Sequence, residues 1–63
     1  MKFHLYRIYL NQDGYDSDGT YWGSGQPLYH YESKENEDYI RANDRDHAKQ
    51  IIRAKYPTTE FYN

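Results

Sequence analysis

Shortness combined with the absence of cysteine is the feature that most constrains how this chain can fold. A chain of 63 residues buries only about 60% of the surface that its unfolded form exposes, so it cannot divide its apolar side chains between two cores. Without cysteine it has neither disulfides nor thiolate zinc ligands to support a small core. We therefore predict a single domain over residues 1–63, stable through packing or through association with a second copy.

The start of the chain and its net charge argue against a membrane or a targeting role. The first ten residues, MKFHLYRIYL, are interrupted by His4 and Arg7, and no later apolar run exceeds a few residues. A formal charge of −2 provides no field that would attract nucleic acid or an anionic membrane. We predict a cytoplasmic protein without membrane association.

Side-chain alternation and turn residues predict an α+β fold. The stretch from Lys2 to Leu10 has strand character and stops at the turn-forming cluster NQDG. The further predicted elements are strands over 27–32, 39–42 and 60–62 and a helix capped by Asn43 or Asp44 that runs to about Tyr56. We predict the order β-β-β-α-β, a small antiparallel sheet with one helix packed on one face.

A long loop over residues 11–26 contains all four glycines and three aspartates. The run DGYDSDG is similar to the start of a calcium-binding loop, but Gly14 and Gly25 stand where such a loop needs acidic residues. The aspartates are therefore interpreted as turn residues. Trp22 has two interpretations: a hydrophobic plug folded back on the sheet, or a contact residue for a partner.

The sequence gives little support for catalysis or for a metal. Its serines lie in loops without a nucleophile elbow, and there is no cysteine to replace them. The histidines, His4, His30 and His47, fall on two strands and the helix, and nothing in their spacing demands a metal. We predict no enzymatic activity, no catalytic residue, no cofactor and no metal site.

A short basic row is the only local positive feature. It consists of Arg41, Arg45, Lys49 and Arg53, the last three at four-residue spacing on the predicted helix. Such a row can follow a phosphate backbone, but it is also what a solvated helix face carries, and Asp44 and Asp46 dilute it here.

Aromatic content is the most informative feature. The chain has nine tyrosines, two phenylalanines, one tryptophan and no valine, and one helix can cover only one face of a sheet. The long loop, a second copy or a foreign target must cover the other face, and Tyr and Trp dominate contacts of that kind. The predicted partner contacts are Phe3, Leu5, Tyr9, Tyr21, Trp22, Tyr29 and Tyr31.

Three strings, YWGSGQPLY, YIRAND followed by HAK, and KYPTTEFY, are similar to patterns in small uncharacterised proteins encoded by bacteriophages and prophages. The similarity covers most of the chain and supplies no catalytic residue. It implies a protein that binds and disables a host enzyme or defence complex, as anti-CRISPR proteins do, or one that sequesters a nucleotide signal.

We therefore predict a non-enzymatic binding protein, encoded by a phage, that inhibits or modulates a host or phage protein through a Tyr-rich surface. Self-association into a homodimer is also expected. The alternative is a nucleic-acid or nucleotide-binding module that uses the basic row for phosphates and Tyr21, Trp22 and Tyr29 for base stacking.

Overall fold

The computed structural model describes residues 1–62 and has the predicted α+β architecture and element order. The elements are β1 (Lys2–Ile8), β2 (Leu28–Glu32), β3 (Glu37–Arg41), α1 (Arg45–Lys55) and β4 (Glu60–Phe61). The third strand begins two residues earlier than predicted. The hydroxyl of Ser33 accepts from the backbone N–H of Asn36, which closes the β2–β3 hairpin in fewer residues than the sequence indicated.

The four strands form one mixed sheet in the order β3-β2-β1-β4. The β1–β2 and β2–β3 pairs are antiparallel as predicted, but β4 pairs with β1 in parallel. The prediction of a wholly antiparallel sheet was wrong at this pair. Because α1 lies between β3 and β4, it carries the chain back to the end of the sheet where β1 begins, and β4 then runs in the same direction as β1.

Helix α1 begins and ends at the signals that the sequence contains. The Asp44 side chain accepts from the backbone N–H of His47 at 2.8 Å and caps the amino terminus. At the other end the backbone N–H of Tyr56 donates to the carbonyl of Ile52, and Pro57 follows. Within residues 1–62, the structure has no helix of the length and apolar character needed to span a bilayer.

The core lies between α1 and one face of the sheet. Ala48 and Ile52 of the helix pack there against strand side chains. Four residues predicted as partner contacts, Phe3, Leu5, Tyr29 and Tyr31, are buried in this core. They are therefore not available to a partner, and those four assignments were wrong. Side chains alternate along a strand, and both faces of β1 carry apolar residues, so alternation alone does not show which face the helix covers.

Candidate functional site

The sheet face away from α1 carries a continuous row of aromatic rings. Register pairs place Tyr6 opposite His30, and His30 opposite Tyr39, so these rings share one face. We call the whole row the aromatic ladder. Its members, in spatial order from β4 across the sheet to the long loop, are Tyr62, His4, Tyr6, His30, Tyr39 and Trp22.

Each ring of the ladder contacts the next. The Tyr62 and His4 rings stack with centroids 4.0 Å apart, and the His30 and Tyr39 rings stack at 4.6 Å. Tyr6 bridges the two pairs at centroid distances of 6.0 Å to His4 and 6.1 Å to His30. The separations from 4.6 to 6.1 Å lie in the range of favourable aromatic pairs, and the Tyr62–His4 pair is closer still. The ladder therefore runs without a gap from the residue after β4 across β1, β2 and β3.

Trp22 joins the long loop to this surface. Its indole packs on Tyr39 with centroids 4.6 Å apart, and its Nε1–H donates to Asp16 Oδ2 at 2.9 Å. The residue is half-buried and is not a member of the core cluster. Trp22 therefore folds back onto the sheet as the plug interpretation expected, but onto the face away from α1. We call this face the open face, and Trp22 extends the ladder there.

Two consecutive five-residue turns, NQDGY (11–15) and DSDGT (16–20), give the loop its shape. In each, the first side chain accepts from the backbone N–H two and four residues on, at 2.9 and 3.1 Å for Asn11 and at 2.9 and 3.0 Å for Asp16. A glycine with positive φ occupies the fourth position of both, Gly14 at 88° and Gly19 at 84°. Sequence reasoning missed this repeat, although the shared pattern Asn/Asp-x-Asp-Gly was present to find.

Hydrogen bonds within the loop use both carboxylate oxygens of Asp16. One carboxylate oxygen accepts two backbone N–H groups and the other accepts the Trp22 indole. The indole bond and then the Thr20 backbone bond hold the pKa of Asp16 below its ordinary value. The carboxylate therefore anchors Trp22 and serves as a turn residue, as the sequence analysis interpreted it.

Arg41 fixes the other end of the loop. Its guanidinium donates to the carbonyls of Gln26 at 2.7 Å, Trp22 at 2.6 Å and Gly23 at 3.2 Å. Bonds from a charged donor are stronger than neutral ones. The Arg41 bonds and the contact of the indole with Tyr39 thus tie the segment that carries Trp22 to β3.

The basic row does not form a free cationic face. Arg45 donates to the Leu5 carbonyl at 3.0 Å, and Arg53 donates to the Thr59 carbonyl. The Lys49 ammonium and the Arg53 guanidinium lie over the Phe61 ring. Successive residues are about 100° apart around a helix. Lys49 and Arg53 directly follow the buried residues Ala48 and Ile52, so the basic row lies beside the buried stripe and not on the opposite side of the helix.

Two other predicted contacts are exposed but lie outside the ladder. Tyr9 is 74% exposed and lies against the Arg7 guanidinium, while Tyr21 is 64% exposed and packs on Tyr15. Of the seven predicted partner contacts, only Trp22 belongs to the ladder. The rings that the prediction omitted alternate with the core residues along the same strands, and that period of two groups them on one face without saying which face the helix covers.

Carboxylates flank the ladder. Glu32 stands opposite His4 on β1 and opposite Glu37 on β3, and Glu60 stands opposite Lys2. The Lys2 ammonium lies 4.5 Å from the centroid of the Tyr62 ring. A cation thus already lies over the ring at the β4 end of the ladder, in an arrangement that aromatic faces favour.

Comparison of the chain with protein-family models, curated proteins and solved structures found no match.

Proposed function

We propose that this chain is a small binding protein that engages a basic surface of another protein through the aromatic ladder. The observation that carries the proposal is the continuous row of rings on the sheet face that no helix covers. The proposal assigns the chain no catalytic step.

The rings are accessible as well as contiguous. Tyr6, Tyr39 and Tyr62 are 44%, 43% and 42% exposed. Tyr buries a large area on binding and loses little side-chain entropy, which is why it is enriched at interface hot spots. Trp22 and His30 both pack on Tyr39, and His30 also packs on Tyr6. The surface is therefore organised before a partner arrives, which lowers the cost of binding.

The charge of the face indicates the chemistry of the partner. Glu32, Glu37 and Glu60 lie on it beside the rings. Arginine and lysine side chains interact favourably both with ring faces and with carboxylates, and Lys2 on Tyr62 shows such a contact within the chain. A protein surface that presents arginine or lysine therefore fits this face better than an acidic one.

Nucleic acid has less support as the ligand. The ladder rings are suitable for base stacking, but phosphates need cations beside the rings. Arg41, Arg45 and Arg53 instead donate to backbone carbonyls of the chain itself, and carboxylates occupy the ladder's margin.

Capture of partners with matched variants tests the proposal. A tagged chain with Tyr6→Ser and Tyr39→Ser should lose the proteins that the wild-type chain captures from the cells that encode it. The control carries Tyr9→Ser and Tyr21→Ser, which removes two exposed rings outside the ladder, and should retain them. Circular dichroism would establish that both variants fold.

Loss of capture in the control, or retention in the ladder variant, would contradict the proposal. Capture of nucleic acid with binding that weakens steeply between low and moderate salt would support the alternative. The identity of a captured protein would also test the prediction that a phage-encoded chain inhibits a host target.

A further inference from the structure

Three potential metal ligands converge at the hairpin end of the open face. His30 and Glu32 are two residues apart on β2 and so point to the same side, and Glu37 stands opposite Glu32 on β3. One ligand atom from each of the three residues lies within 4.8 Å of the other two. Within residues 1–62, no other three His, Asp or Glu side chains come together in this way.

The His30 imidazole presents an unused nitrogen to this cluster. Its Nε2 atom is buried and has no hydrogen-bond partner within the described residues. The nearest carboxylate oxygen, Glu37 Oε2, is 3.5 Å away, which is too long for a good hydrogen bond. A buried polar atom without a partner is uncommon, and an unseen ion is one of its ordinary explanations.

Neighbouring rings hold the imidazole in this orientation. His30 stacks on Tyr39 at 4.6 Å and on Tyr6 at 6.1 Å, and only 14% of its side chain is exposed. An imidazole held by packing loses little freedom when it binds an ion.

We propose that His30, Glu32 and Glu37 bind a divalent transition-metal ion of the zinc type. Zinc takes imidazole nitrogen and carboxylate oxygen at about 2.0–2.2 Å, which sets its ligands about 3.3–3.6 Å apart in a tetrahedron. The His30–Glu37 separation of 3.5 Å already has this value, and rotation of the Glu32 side chain completes the set. Water would fill the fourth position. Magnesium and calcium prefer oxygen ligands alone and would not use the imidazole.

This proposal does not depend on the identity of the protein partner, and its test needs none. The full chain is titrated with zinc chloride by calorimetry in a buffer that does not bind metal, and magnesium chloride is titrated in parallel. We expect one saturable zinc site, an increase in melting temperature with zinc, and neither effect with magnesium at the same concentration.

Matched variants identify the ligands. His30→Gln and Glu37→Gln should each weaken zinc binding at least tenfold. Glu35→Gln should leave it within threefold of wild type, because Glu35 lies in the adjoining hairpin turn outside the cluster. The nitrogen NMR spectrum of the wild-type chain gives a readout without mutation, because zinc should shift the Nε2 resonance of His30.

Any one of three results would overturn the proposal: no saturable zinc binding, binding that survives His30→Gln, or equal loss in Glu35→Gln. A shift of the His30 resonance on acidification with none on addition of zinc would show instead that Nε2 serves only as an ion-pair partner of Glu37.

Discussion

Replacing Ile52 with alanine tests which face of the sheet lies under α1. Ile52 is 1% exposed and belongs to the core cluster. The substitution removes three carbon atoms, worth about 0.8 kcal/mol each by transfer, and the cavity left behind brings the expected cost to about 3 kcal/mol. A chain of 63 residues has about 3–9 kcal/mol of stability in total. The loss should therefore lower the melting temperature by about 12–24 °C.

The neighbouring Ile51 provides the matched control. It is only half-buried at the edge of the same core, so Ile51→Ala should cost about half as much. Urea denaturation followed by circular dichroism measures both. An Ile52→Ala cost below about 1 kcal/mol, or a larger cost at Ile51, would show that α1 does not pack as described and that the ladder face is not the open one.

Four further predictions concern the loop and the assembly state. Asp16→Asn should release the Trp22 indole, because an amide nitrogen cannot accept from the indole N–H. Its Oδ1 should keep the two backbone bonds of the second turn, as the Asn11 side chain does in the first turn. The fluorescence of the single tryptophan should then shift to the red, and an unchanged spectrum would contradict the anchor. The pKa of Asp16 is lowered from the ordinary value of 3.8. Its carboxylate therefore stabilises the loop above pH 3.8, and this stabilisation is lost as the pH falls through the lower pKa of the folded state. The wild-type fluorescence should change only below pH 3.8. Gly14→Ala should destabilise the fold more than Gly19→Ala, since an added Cβ at Gly14 would meet the Gly23 carbonyl carbon at 2.6 Å and one at Gly19 meets nothing within 4 Å; equal melting temperatures would refute this packing. Sedimentation at micromolar concentration should show a dimer or larger species through the open aromatic face, and a strictly monomeric particle at high concentration would remove that expectation.

Local signals predicted most of the fold. The cap at Asp44 and the stop at Pro57 fixed α1 because capping and proline geometry depend only on neighbouring residues. The strands were found by their aromatic and aliphatic character. The direction of β4 was not found, because it depends on where α1 returns the chain and not on residues 60–62 themselves.

The candidate site was predicted less well than the fold. Alternation separates the two faces of β1, but both contain apolar residues, so nothing local says which face the helix covers. Phe3 and Leu5 lie beneath α1 and His4 and Tyr6 lie opposite, although either arrangement satisfies the period of two. Contacts between residues far apart in sequence, such as Trp22 with Tyr39 or His30 with Glu37, depend on strand register, which cannot be read directly from the sequence.

The measurement that tests the central claim most directly is an NMR titration of the labelled chain with a short arginine-rich peptide as the probe. If the open aromatic face recognises basic protein surfaces, the ring resonances of Tyr6, Tyr39 and Tyr62 should shift together and saturate, and a glutamate-rich peptide of the same length should leave them unchanged. Shifts confined to α1, or equal shifts with both peptides, would contradict the claim that the ladder is the binding surface.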